Sequence, residues 1–146
     1  EAQMWILHTQ FACELYYSIY RQNGPNYEAL ICDRGPDNYC YLKHKFGENK
    51  CALDMTLEHI RQWPYSRLYL LPIVETSIVE NDVRSTNKEF QIEMDQEIRL
   101  FLQEHNIPYE ELTQPTKEDV FRNQWAKTII NNTLRDFNKP QKYFIP

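Results

Sequence analysis

Asp33-Arg34-Gly35, followed by Asp37, is the segment of this sequence whose residue types and order best suit chemistry. A carboxylate directly after a buried apolar strand is fixed by the sheet and points into the crevice where open parallel sheets hold ligands. There it can hold Mg²⁺, directly or through water, or accept a proton from a substrate hydroxyl. Arg34 offers a planar fork that fits phosphate oxygens, and Gly35 lets the chain turn tightly. The same residues have a plainer explanation. Asp33 caps the helix that soon follows, with Arg34 as its ion-pair partner. On the triplet alone the two explanations stand level.

A second polar segment shifts the balance. From Ile73 to about Asn87 the sequence shows no clear periodicity and contains Glu80-Asn81-Asp82-Val83-Arg84-Ser85-Thr86. A loop of this length inside a compact domain is usually functional. Arg84 can swing over a bound nucleotide and neutralise charge developing on a transferred phosphoryl group. Its bland alternative is a solvated surface arginine paired to Asp82. Thr113 to Thr116 is a further polar segment placed after a strand.

The elements that must position these groups follow from periodicity and punctuation. Met4, Leu7, Phe11, Leu15 and Ile19 recur at helical steps and predict a helix over 2–22, broken by Asn23-Gly24-Pro25-Asn26. Glu28 to Cys32 is a short apolar run, expected as a buried strand. A helix is expected from Asp37 to Phe46, closed by Gly47, and another from Cys51 through Leu53, Leu57, Ile60 and Trp63 to Pro64. Arg67 to Leu71 is the second strand, ended by Pro72. Phe90, Met94, Ile98, Phe101 and Leu102 mark a helix released at His105-Asn106, before a weaker strand from Pro108 to Leu112. Thr116 caps a last helix with a stripe of Val120, Trp125, Ile129, Ile130 and Leu134, and the tail from Asn138 is expected to be irregular.

Strands separated by helices imply an α/β fold, a three-layer α/β/α arrangement on a parallel sheet, in a single domain over 1–146. Yet the strands are fewer than the helices, and a doubly wound sheet normally has a strand for each crossover. The opening helix has no strand before it, and the first residue is Glu1. The expectation is a domain truncated at its N-terminal edge.

Composition sets the outer limits. With 42% hydrophobic and 25% charged residues the 146-residue chain has the balance of a globular protein. A net charge of -5 argues against a large nucleic-acid footprint. No run of about 18 apolar residues is present, so no membrane span is expected. Cys13, Cys32, Cys40 and Cys51 contain no Cys-x-x-Cys pair. Cys13 on an apolar helix and Cys32 in an apolar strand are expected as buried thiols, in a reducing cytoplasm. His8, His44, His59 and His105 form no His-x-x-x-His pair and are expected at surfaces or helix ends. Tyr16, Tyr17 and Tyr20 suit a base-binding pocket or, more commonly, a core or interface.

The segments ICDRGPDNYCYL, LYLLP, ENDVRSTNKEFQ and FLQEHNIPYEEL, in that order and spacing, resemble the P-loop nucleoside-kinase-like ATPases. Within these the chain is similar to AAA-type domains related to NadR-type ribosylnicotinamide kinases, from about Leu30 to Leu112. The resemblance implies an ATP-dependent kinase or related NTPase that uses ATP and Mg²⁺ on a nucleoside-like small molecule. It implies that Asp33 assists Mg²⁺ or the acceptor hydroxyl and that Arg34 contacts phosphate. Arg84 matches the lid arginine in a lid-like loop over 73–87, Asp82 orients it, and Asp37 supports the site or caps its helix. One departure is large. Gly24, Gly35 and Gly47 are the only glycines, and none begins the Gly-x-x-x-x-Gly-Lys-Ser/Thr motif that cradles a triphosphate. The alternative is therefore a non-catalytic nucleotide-binding or interaction module of the same fold. The acceptor substrate and any homo-oligomer stay open.

Overall fold

The computed structural model describes residues 2–19, 29–73, 88–114 and 118–137. Asp82 and Arg84, the break at 20–28, Thr116 and the tail beyond 137 lie outside the described residues. The element order is α1 (Ala2–Ile19), α2 (Asp37–Phe46), α3 (Lys50–Gln62), β1 (Tyr69–Leu70), α4 (Lys88–Glu104), β2 (Glu110–Glu111) and α5 (Glu118–Phe137). The chain divides into two compact units, Glu1–Tyr69 with Ile78–Glu110, and Leu70–Ser77 with Glu111–Pro146.

In the first unit, local chemistry sets the helix ends. The Asn49 side chain accepts the Ala52 N–H at 3.0 Å and starts α3. Trp63 and Pro64 follow the last turn of α3, where a residue before proline is pushed out of helical backbone. α2 ends on Gly47 at φ 82, whose N–H donates to the Lys43 carbonyl at 2.8 Å. α4 ends on Asn106 at φ 54, a left-handed position that asparagine tolerates. The Asn106 N–H donates to Gln103 and the Ile107 N–H to Leu102, which satisfies carbonyls of the last turn.

The core of this unit gathers Leu7 and Phe11 of α1, Tyr39, Cys40 and Leu42 of α2, Ala52 of α3, and Phe101 and Leu102 of α4. Tyr39 meets Phe101 with ring centroids 5.3 Å apart. Lys43 pairs with Glu97 at 2.6 Å and further fastens α2 to α4. In the second unit Leu112 is buried, and Trp125 of α5 donates its indole N–H to the Thr113 carbonyl at 3.0 Å.

The sheet is smaller than the sequence suggests. β1 and β2 form a two-stranded sheet. The Glu110 N–H donates to Leu68 at 2.8 Å and the Leu112 N–H to Leu70 at 3.0 Å, the pattern of a parallel pair. The strand expected at Glu28 to Cys32 is not formed over its described residues. Leu30 is 45% exposed and Ile31 66% exposed, and no backbone hydrogen bond joins this run to another described residue. A run of apolar residues states a preference for burial. Strand structure also needs a paired neighbour, and no described strand lies beside it. The stripe expected on the last helix is likewise open at Ile130 and Leu134, which are exposed.

The cysteines also depart from expectation, since Cys13, Cys32 and Cys51 are exposed and only Cys40 is buried. Burial, reinforced by the charges of Asp37 and Glu97, pushes the Cys40 thiol up to about 12. The folded-state value lies above the ordinary thiol value near 9. Its contribution to stability is therefore complete below about pH 9 and lost as pH rises towards 12. Urea midpoints measured from pH 8 to 11 should fall more steeply for the wild type than for Cys40→Ala. The difference should approach about 1 kcal/mol per pH unit above pH 9. Parallel slopes would show that Cys40 ionises as freely folded as unfolded.

Candidate functional site

The turn at Asp33 is built from its neighbours inward. Pro36 precedes α2, and no side chain caps that helix. Asp37, its first residue, instead turns back into the loop. Its Oδ1 accepts the Gly35 N–H at 2.6 Å and its Oδ2 takes Arg34 Nη1 at 3.0 Å. Asp37 thus does the structural task that the sequence left open for Asp33. Asp33 itself is exposed, and its carboxylate makes no hydrogen bond or ion pair among the described residues. The capping explanation of Asp33 is removed, and so is its pairing with Arg34. Asp33, Arg34 and Asp37 are brought together on one turn. No position is described for Asp82 or Arg84.

A polar cluster that sequence reasoning missed lies behind this turn. Glu14 is buried on α1 and is ringed by donors. Gln10 Nε2 donates to its Oε1 at 2.7 Å, while His59 Nε2 and the Tyr65 hydroxyl both lie 2.9 Å from its Oε2. His59 stands in the last turn of α3, a helix end as expected, but it is buried there rather than exposed, and it stacks on Phe11 with centroids 4.1 Å apart. Gln10 also donates to the Gly35 carbonyl at 3.3 Å and accepts from the Asn38 side-chain amide. A continuous network therefore runs from α3 through α1 to the turn.

The ionisation of its members reflects this enclosure. Burial raises the Tyr65 hydroxyl well above the ordinary tyrosine value, reinforced by the charge of Glu14 and the hydrogen bond to it. The Cys32 thiol, in a residue exposed overall, is raised by partial burial and then by the nearby Glu14 carboxylate. Both Glu14 oxygens are engaged by protein groups. The chemistry of Glu14 is to hold.

The signal for this cluster was present in the sequence. Leu7, Phe11 and Glu14 share one face at steps of four and three, as do Ala52, Thr56 and His59, and these are the residues each helix buries. A charge or imidazole on a core-facing stripe requires a buried partner. The expected stripe of α1 passed through Leu15, which is only half-buried, and so skipped Glu14.

A family model described as an AAA domain matches residues 6–119. The chain therefore belongs to this family of AAA-type, P-loop NTPase-like domains. No curated protein and no solved structure matches it. Membership fits the α/β class expected from the sequence, of which the described residues form a mostly helical part with a small parallel sheet. It points to a nucleotide-binding, NTPase-type role in which a metal ion commonly takes part. No helix among the described residues is long and apolar enough to cross a membrane.

Proposed function

We propose that this domain serves a nucleotide-dependent phosphotransferase or NTPase, with the Asp33 turn facing the phosphates. The supporting observation is the division of labour on the turn. Asp37 secures the backbone and Arg34, which leaves the Asp33 carboxylate exposed and unspent. An exposed carboxylate is a suitable oxygen ligand for Mg²⁺, which keeps several waters and is commonly held by one or two carboxylates together with substrate phosphates. When bound, Mg²⁺ would neutralise phosphate charge. Asp33 would hold it, directly or through water. The Arg34 guanidinium is largely exposed and has donors left after its single short contact to Asp37, so it can also meet phosphate oxygen. Arg84 would supply a further positive charge and Asp82 would orient it. ATP and a nucleoside-like acceptor follow from the family resemblance, as does a cytoplasmic setting from the cysteine pattern.

The test uses the full-length gene product, titrated with ATP and GTP in the presence of Mg²⁺ and assayed for phosphate transfer to a nucleoside panel. Asp33→Asn should weaken Mg-nucleotide binding about tenfold or more, corresponding to loss of one charged ligand worth about 1.5–3 kcal/mol. Unchanged binding in that variant would refute the assignment of Asp33. Tight binding without turnover would favour the non-catalytic module, a reading the missing Gly-x-x-x-x-Gly-Lys-Ser/Thr motif keeps open.

A further inference from the structure

We propose that Gln10 is a positioning residue whose side-chain amide locks the end of the Asp33-Arg34-Gly35 turn and so fixes where Asp33 and Arg34 point. The proposal rests on the reading of those two residues as phosphate-facing groups. Gln10 stands near the middle of α1, half-buried, so helix holds its backbone on both sides. Its Nε2 donates to the Gly35 carbonyl at 3.3 Å and to Glu14 Oε1 at 2.7 Å, and its Oε1 accepts from the Asn38 side-chain amide. A reversed amide would set oxygen against the Gly35 carbonyl and the Glu14 carboxylate, so these partners dictate its orientation. The Gly35 carbonyl also accepts the Asn38 backbone N–H at 3.3 Å. Gln10, Gly35 and Asn38 thereby close a ring of hydrogen bonds that joins the turn to α1 and to the start of α2.

The other side of Gly35 is held as well. Its N–H donates to Asp37 Oδ1 at 2.6 Å, while Asp37 Oδ2 takes Arg34. Both peptide groups that flank Gly35 are therefore tied, one to α2 through Asp37 and one to α1 through Gln10. Backbone preference does not hold this turn. Gly35 does not take the left-handed backbone seen at Gly47, and a Cβ at this position would meet only Asp37 Oδ1, at 3.9 Å. Asp33 and Arg34 are exposed, so solvent gives them no direction. A site needs its groups held within a fraction of an ångström, and here the neighbouring peptide supplies that restraint. A role confined to docking α1 on α2 would be redundant, because Leu7 and Phe11 already share one core with Tyr39 and Leu42.

The test reads the turn itself. Arg34-Gly35 is the only Arg-Gly step in this sequence. Arginine labelled at its carbonyl carbon and glycine labelled at nitrogen therefore mark that peptide in the full-length gene product, and loss of the signal in Gly35→Ala assigns it. The amide order parameter is measured by nuclear magnetic resonance beside Mg-ATP affinity. Gln10→Met keeps the length and helix propensity of glutamine and removes its hydrogen bonds. It should lower the Gly35 order parameter from about 0.85, the value of rigid backbone, to about 0.6. Asn38→Ala opens one side of the ring and should lower it part of the way. Asn49→Ala, which weakens the cap of α3 and makes no bond to the turn, should leave it as in the wild type. Gln10→Met should also weaken Mg-ATP binding about threefold or more, but less than about twofold where Asp33→Asn and Arg34→Ala have already removed the pair. An unchanged order parameter in Gln10→Met would overturn the proposal. So would an equal drop in Asn49→Ala, since the amide would then read overall stability. An undiminished loss of affinity with the pair removed would overturn it too, because Gln10 would be acting elsewhere in the binding. If Asp33→Asn alone binds Mg-ATP normally, the phosphate-facing reading fails, and the Gly35 amide decides whether Gln10 fixes the turn.

Discussion

Replacing Glu14 with alanine is expected to lower the unfolding free energy by about 3–5 kcal/mol, the usual loss when one partner leaves a buried charged network. The reason is what stays behind. His59, the Tyr65 hydroxyl and Gln10 all bond Glu14, and His59 is buried on the Phe11 ring. Without the carboxylate, buried His59 and the half-buried Tyr65 hydroxyl lose their acceptor, so each retains a desolvation cost that nothing offsets, while Gln10 keeps only the Gly35 carbonyl as acceptor. Urea unfolding followed by circular dichroism measures the loss. Glu14→Ala combined with His59→Ala should be less damaging than the sum of the single changes, with a coupling of about 1–3 kcal/mol. A single-variant loss below about 1 kcal/mol would mean that water enters and replaces Glu14 without strain.

Leu102→Ala should cost about 2–5 kcal/mol, while Leu100→Ala on the same helix should cost less than about 1 kcal/mol. Leu102 is 1% exposed in the core with Tyr39 and Phe101, and Leu100 is 48% exposed. Both side chains have the same chemistry and the same helix propensity, so the difference isolates the cavity left in a close-packed interior. Leu102 also accepts the Ile107 N–H that closes α4, but that bond uses its backbone carbonyl and survives the substitution. Paired urea titrations decide the matter. Equal losses at the two positions would show that the packing around α4 is not the one described.

The helices were legible because their signals are local. Asn49 and Pro64 bracket α3, Gly47 closes α2, and Asn106 ends α4. Capping and left-handed backbone depend on the residue itself and on a few neighbours, so the chain writes them openly. The strands were legible only as possibilities. Tyr69–Leu70 and Glu110–Glu111 pair, while the more apolar Ala29 to Cys32 run pairs with no other described segment. Hydrophobicity is a property of a segment, whereas pairing belongs to two segments far apart in the chain.

The Asp33 turn shows the same division more sharply. The sequence alone placed Asp33, Arg34 and Asp37 on one turn before a helix, and gave the AAA-type resemblance that the family match upholds. It determined which charged groups stand together, because a turn is made of consecutive residues. Tertiary structure decided how they share the task. Asp37 takes Arg34 and the Gly35 N–H, so Asp33 is left free of the cap the sequence offered it. Only the fold could bring Gln10 of the first helix against Gly35, or set His59 and Tyr65 around Glu14. A hydrogen bond requires atoms within about 3 Å, and separation along the chain carries no information about that distance.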